Sequence, residues 1–355
     1  MLTIIINKKY SGGMKYNRAA LALFSSSLLV LAGCSSAEPA EVADAPTAEE
    51  GTAAAVDGAA VVVTTTVLGS VVGEILTCAA GSDASMTVVM PIGADPHDFQ
   101  PSSEQVAAMS TADVVVSNGL FLEEGLVSVL QSLETDGVNV LHIAELVNPL
   151  PFADDHGDDH GDDHGDDHAD ESSEEHAHGD FDPHFWFDME RMALAAELIG
   201  SELATATGVG DYESCGVSVA ADVRSAEAEV IAVLQAVPDV SRVLVTDHDA
   251  FGYFANRYDF EVAGVVVPGG STLSDPSSRE LAELVKVIER ENVTAIFANT
   301  STESDVVAAL AAEVGRDIQV VPLFVGSLGG PGSGAEDYIS MMLLNASLIA
   351  DALTD

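Results

Sequence analysis

After residue 58 the chain alternates between short apolar runs rich in β-branched residues and longer stretches of helical periodicity. AAVVVTTT (59–66) predicts a strand, and VLGSVVGEILTCAAG after it a helix. SMTVVM (85–90) predicts a second strand, and PSSEQVAAMSTA, opened by Pro101, a second helix. DVVVSNG (113–119) and VNVLHI (138–143) predict two more strands. Runs that are apolar throughout, rather than alternating, point to strands covered on both faces, as in a parallel sheet. A second set follows in SRVLVTD (241–247), EVAGVVVP (261–268), TAIFAN (294–299) and DIQVVPL (317–323). SSRELAELVKVIERENV and ESDVVAALAAEVG read as helices between them, and AEDYISMMLLNASLIADALT as the last helix. Between the two sets, MERMALAAELIGSELATATG (189–208) and DYESCGVSVAADVRSAEAEVIAVLQAVP (211–238) predict two helices. The pattern is that of an α/β protein with two parallel-sheet α/β domains, residues 59–209 and 239–355, joined by a long rigid linking helix over 210–238. A length of 355 residues and 47% hydrophobic content suit two cores of that size.

The N-terminus stands outside this pattern. MKYNRAALALFSSSLLVLAGC (14–34) carries Lys15 and Arg18, then an apolar run too short to span a bilayer, then small residues before Cys34. That order predicts an export signal over 1–33, with Met14 as the true start. Leu31-Ala32-Gly33-Cys34 resembles a bacterial lipobox, which implies lipidation of Cys34 and anchoring to the outer face of the cytoplasmic membrane, or a periplasmic location. Residues 34–58 are mostly Ala, Glu, Asp, Pro and Thr, the composition of a flexible acidic tether.

Charge narrows the class of ligand. Four of the 12 Lys and Arg precede Cys34, and none of the 58 Asp and Glu does. So acidic a chain repels nucleic acid and attracts cations, and acidic surfaces also suit a high-salt habitat. After Cys34 only Cys78 and Cys215 remain. In an oxidising, exported setting they predict a single disulfide, and the lack of a close Cys pair argues against a thiolate zinc site.

Six of the ten histidines lie in a His/Asp-rich loop over 153–180, where DDHGDDHGDDHGDDHADESSEEHAHG carries His156, His160, His164, His168, His176 and His178. With no apolar residue larger than Ala the loop cannot build a core, so it predicts weak, exchangeable metal sites. His142 closes a strand and reads as structural. The remaining three occupy polar-aromatic turns: His97 in GADPHDFQPSS, His184 in FDPHFWFD and His248 in VTDHDAFGYFANRYDF. His97 and His248 follow strands, where open parallel sheets gather ligands. Three converging imidazoles suit Zn²⁺ and must be neutral to bind it, so affinity is expected to fall below about pH 6.5. Asp182, Asp247 and Asp249 are candidate acceptors for the ring N–H groups. Trp186, Phe251, Tyr253 and Phe254 read as packing around the ligands.

These three turns and the lipobox together resemble the substrate-binding lipoproteins of zinc and manganese ABC importers, the ZnuA-like group. ADPHDFQPS, DPHFWFD and TDHDAFGYFANRYDF are similar to the segments that supply that family's first, second and third metal histidines. The resemblance implies Zn²⁺ as the transported ligand, an ABC permease and its ATPase as partners, a monomer, and no catalytic activity. His248 stands where manganese members have a carboxylate, which favours zinc over manganese or iron. The family's fourth-ligand Asp would fall near Gly326, which has no side chain to offer, so the fourth ligand is water, Asp249, Glu303 or Asp337. A surface zinc buffer, with the loop as main site, and a secreted zinc hydrolase are the competing classes. The hydrolase lacks a His-Glu-x-x-His motif and an obvious general base. Deleting 154–179 is expected to leave one tight zinc site and remove only weak extra stoichiometry, read by equilibrium dialysis. Loss of the tight site would instead make the loop primary.

Overall fold

In a computed structural model, the chain is described over residues 58–79, 83–152, 179–302, 305–314 and 317–354. The export signal, Cys34, the tether, the six loop histidines and Glu303 lie outside the described residues. The first set of elements is β1 (Ala60–Val63), α1 (Thr66–Cys78), β2 (Ser85–Val88), α2 (Ser103–Ser110), β3 (Val114–Ser117), α3 (Val127–Thr135) and β4 (Val140–His142). Two long helices follow, α4 (Met189–Thr207) and α5 (Asp211–Leu234). The second set is β5 (Val243–Thr246), α6 (Gly252–Tyr258), β6 (Glu261–Val265), α7 (Ser278–Arg290), β7 (Ala295–Asn299), α8 (Asp305–Glu313), β8 (Gln319–Leu323) and α9 (Tyr338–Thr354).

Both sheets are parallel and share one topology. Their strand orders are β2-β1-β3-β4 and β6-β5-β7-β8. In each, the chain reverses its winding direction after the second strand, between β1 and β3 and between β5 and β7. That switch point opens a crevice at the carboxyl ends of the strands. Continuous burial holds for β3 and β7, and nearly so for β1 and β5, which sit inside their sheets. The outer strands β2 and β8 are largely exposed despite their apolar sequences, and Pro322 in β8 is tolerated at a sheet edge. Two helices the apolar pattern did not predict are α3 and α6. The second lies in the polar-aromatic turn after His248, where tertiary packing overrides weak local propensity.

The helices α1, α2, α4 and α7 start where side chains cap them. Thr65 accepts from Leu68 N at the start of α1, and Asp188 accepts from Glu190 N and Arg191 N at the start of α4. Ser102 with Gln105 and Ser277 with Glu280 form capping boxes on α2 and α7. The 24-residue α5 lies along α4 and also packs on α1 and α9, so it is a shared spine rather than a free span between sheets. Glycines make the α4–α5 approach close: a Cβ on Gly200 would meet Tyr212 O at 2.6 Å and Gly216 Cα at 2.8 Å. One buried core runs through both halves, from Val61 and Val63 on β1 through Phe187 and Phe251 to Leu323 and Ile349. Among the described residues no helix is long and apolar enough to cross a membrane.

Cys78, at the end of α1, is disulfide-bonded to Cys215 on α5, with Cα atoms 5.7 Å apart and 137 residues between them in sequence. The bond ties the first βα unit to the spine across a long loop, and long loops lose most entropy when closed. Replacing both cysteines by Ser is expected to lower the unfolding free energy by about 3–5 kcal/mol. A urea titration with and without reductant measures it, and wild-type protein under reductant should match the double variant.

Candidate metal centre

Three segments bring the site together. His97 lies in the loop after β2, His184 just ahead of the 3₁₀ turn Phe185–Phe187 that leads into α4, and His248 two residues past the end of β5. All three are buried, each at 3% exposure or less. Their ring centroids are 5.5, 5.8 and 5.3 Å apart pairwise, a nearly equilateral triangle. One ligand atom from each lies within 4.8 Å of the other two. His97 Nε2 and His184 Nε2 are 3.3 Å apart. A tetrahedral Zn²⁺ with Zn–N bonds of about 2.0–2.1 Å holds its nitrogens about 3.3 Å from one another.

Two carboxylates set the direction of two rings. Asp182 Oδ1 accepts both the backbone N–H of His184, at 2.9 Å, and its ring Nδ1–H, at 2.8 Å. Asp247 Oδ1 does the same for His248, at 2.9 Å in both cases. One oxygen thus fixes main chain and ring together, puts the proton on Nδ1, and leaves the Nε2 lone pair for a cation. Asp247 is itself held through Oδ2 by Asn299 N, at 2.8 Å, from the end of β7. Asp95 Oδ1 accepts from His97 N at 3.1 Å, while its Oδ2 takes Thr272 Oγ1 at 2.5 Å from the other half of the molecule. Around these, the Trp186 ring lies 5.2 Å from His184 and its Nε1–H donates to Val325 O. Tyr253 OH donates to Asp182 O and accepts from Leu150 N.

The titration behaviour follows from burial and crowding. Burial, reinforced by the charges of His248 and His97, holds His184 well below the usual imidazole range. Burial lifts Asp182 to about 7, against the opposing backbone hydrogen bond from His184 and the imidazole charges. Burial also pushes Asp247 up, but the charge and hydrogen bonds of His248 and the Asn299 N–H outweigh it, and its carboxyl falls below the usual range. Burial pushes His248 down, but Asp247 outweighs it and raises the imidazole. The triangle therefore resists three protonated rings at once, while its carboxylates favour a single shared cation.

The sequence-predicted candidates for a fourth ligand fare differently. The ligand cluster comprises the three histidines, and neither Asp249 nor Asp337 belongs to it. Asp249 acts on His248 through its charge. Asp337 is turned to α9, where it accepts from Ser340 N at 2.8 Å and Ser340 Oγ at 2.7 Å. Gly326 is buried against the metal turn itself: a Cβ there would meet Pro96 Cδ at 2.6 Å. A larger residue at 326 would displace the Asp95-Pro96-His97 segment, so this site is built around the absence of that side chain. His142, read from sequence as lacking polar company, has it: Nδ1 is 2.7 Å from Ser117 Oγ and Nε2 is 3.3 Å from Glu134 Oε1. Ser117 is fully buried, so this Ser-His-Glu group offers no reachable nucleophile and holds β3 to β4.

Residues 61–352 match the family model described as ZnuA, the periplasmic component A of a zinc-uptake complex. The chain belongs to the ZnuA family. It is 29% identical to the zinc-binding protein TroA of Treponema pallidum, over 84% of this chain and 91% of that protein. It is 25% identical to the manganese-binding lipoprotein MntA of Halalkalibacterium halodurans, over 80% of this chain and 86% of that one. The solved TroA structure superposes with a TM-score of 0.70 at 28% identity, covering 84% of this chain and all of that one.

Several residues that shape this ZnuA-family site carried no sequence signal of their own. Asn299 works through its backbone N–H, which no side-chain motif reveals. Thr272, in the loop after β6, and Glu124, in the 3₁₀ turn after β3, lie beyond the carboxyl ends of strands, a position that alone marks them as near a ligand, whereas Asp95 lies inside the ADPHDFQPS segment. Replacing Asp182 by Asn keeps an acceptor for His184 Nδ1–H and removes the charge. Zinc affinity, measured calorimetrically, is expected to drop about 10- to 100-fold with the circular dichroism spectrum unchanged.

Proposed function

We propose that this protein captures Zn²⁺ outside the cytoplasm and delivers it to an ABC permease driven by its ATPase. Membership of the ZnuA family makes it a metal-binding protein of such an importer, and its relatives carry names for both zinc and manganese. The choice of zinc rests on one observation: the buried cluster offers three imidazole nitrogens and, among the described residues, no carboxylate oxygen. Manganese is a harder ion that prefers carboxylate, carbonyl and water, whereas imidazole suits zinc. The fourth position is assigned to water. The same donor set serves zinc hydrolases, but here Asp182 and Asp247 are both committed to holding rings, and the family is one of transporter components.

Capture and release are read as small movements. The two sheets share one core and one spine helix, so the body is stiff, and opening the triangle needs only loop and ring shifts around the crevice. Lipid attachment at Cys34 and a monomeric state complete the reading, and the acidic His-rich loop adds weak sites beside the tight one. Isothermal titration of the full chain with Zn²⁺ and with Mn²⁺ is the test. One tight zinc site and much weaker manganese binding are expected. Changing His97, His184 and His248 together to Ala should abolish tight binding, and its survival in that variant would place the transported ion elsewhere.

A further inference from the structure

The three imidazoles are not held alike. His184 and His248 present Nδ1 to a carboxylate at 2.8 and 2.9 Å, whereas His97 Nδ1 is buried with no hydrogen-bond partner. Glu124 Oε1 stands 3.6 Å from that nitrogen, just beyond hydrogen-bonding distance, with its side chain about a third exposed.

The backbone that carries Glu124 is firmly placed. Its neighbour Glu123 is buried and accepts from Thr64 Oγ1 at 2.6 Å, Asn118 N at 2.7 Å and Gly119 N at 3.1 Å. These bonds hold Gly119, Leu120 and Phe121 in succession at positive φ, of 87°, 51° and 63°. Two consecutive non-glycine residues in that region persist only where the surroundings over-determine them, and such runs cluster at functional sites. The turn sets Glu124, with Leu120, Phe121, Phe152 and Gly270, around a small cleft that reaches His97.

The proton on His97 explains why Glu124 stands off. His184 gives its Nδ1 proton to Asp182, so its Nε2 faces His97 Nε2 as a lone pair at 3.3 Å. Neutral His97 satisfies that contact by carrying its proton on Nε2. Its Nδ1 is then a lone pair, which a carboxylate does not approach. A cation bound by the three Nε2 atoms reverses this. One proton leaves Nε2 for solvent, one is taken up at Nδ1, and the ring's charge is unchanged. The buried Nδ1–H then needs an acceptor.

We propose that Glu124 is the positioning residue for His97, closing on its Nδ1–H when a divalent cation occupies the triangle and completing a third carboxylate–imidazole pair. This rests on the metal-capture reading above and adds to it a contact, from Glu124 to His97 Nδ1, that forms only in the loaded state.

The test uses the full chain and Zn²⁺ alone, with Glu124→Ala and Glu124→Gln beside the wild type. Glu124→Ala is expected to weaken zinc binding about 10- to 100-fold. Glu124→Gln, which keeps an acceptor oxygen without the charge, should recover part of the loss. Circular dichroism spectra of the metal-free proteins check that all three are folded alike. In histidine-labelled protein, long-range ¹H–¹⁵N spectra should show the His97 proton moving to Nδ1 on zinc loading in all three. Its Nδ1–H resonance should lie furthest downfield, and be protected from exchange, only when Glu124 is present. Equal zinc affinity in wild type and Glu124→Ala, or an Nδ1–H resonance indifferent to Glu124, overturns the proposal and leaves zinc capture standing. A wild type that does not bind zinc removes the capture reading and this proposal with it.

Discussion

The site depends on an aromatic joint that fixes the distance between the two sheets. Phe187, three residues beyond His184, stacks on Phe251, three residues beyond His248, with ring centroids 4.6 Å apart. His184 and His248 are thus each chained to a large ring, and the two rings are locked face to face in the common core. Polar groups reinforce the joint from within the same segments. Trp186 Nε1 reaches Val325 O, Tyr338 OH reaches Trp186 O at 2.7 Å, and Tyr253 OH reaches Asp182 O. Burying rings of this size stabilises by roughly 2–3 kcal/mol each, while one satisfied hydrogen bond adds about 1 kcal/mol. Apolar contact therefore carries the joint, and the hydrogen bonds set its register.

The spine is bound to this joint by charge. Arg257, on α6, makes a paired contact with buried Glu227 on α5, at 2.7 and 2.8 Å, and lies 3.7 Å from Asp188 at the start of α4. Asp188 also receives Arg191 from its own helix. One guanidinium therefore touches the spine, the element after His248 and the element after His184. Glu227 and Asp188 are buried although Arg257 is not, so removing the guanidinium leaves buried carboxylates uncompensated, and the network specifies one arrangement of the segments more than it adds net stability. By contrast, the exposed contacts of Arg224 with Glu190 and Glu197 hold α4 and α5 at their solvent edge and contribute little.

The fold was legible in the chain because burial and period agree in its central strands. The Val-rich runs of β1 and β3 and the apolar run of β7 could only be covered on both faces, and the structure covers them. The edge strands β2 and β8 have similar apolar sequences, but their exposure depends on strand order, which no local pattern carries. The common order of the two sheets was likewise invisible, since the halves share topology without a repeated sequence. At the candidate site, the three histidines could be picked out because each sits in a turn dense with Asp and aromatic residues. What escaped was contributed by backbone or by proximity alone: the Asn299 N–H, the cross-cleft Asp95–Thr272 bond, and the contact of Gly326 with Pro96.

Gly326 and the triangle it borders show how the pieces constrain one another. A side chain at 326 would press on Pro96, and Pro96 precedes His97. His97 is the imidazole whose ring Nδ1 has no hydrogen bond to hold it. Its backbone is tied across the crevice by Asp95 to Thr272, while its ring stays free of the doubled carboxylate clamp that fixes the other two. In the capture proposed above, two rings form a pre-set jaw and the third closes onto the ion. A site with three clamped rings would pay little reorganisation on binding but would also release slowly, since affinity differences reside mostly in the off-rate. On that proposal, leaving one imidazole adjustable beside the cleft would let a stiff body take up a cation and still surrender it.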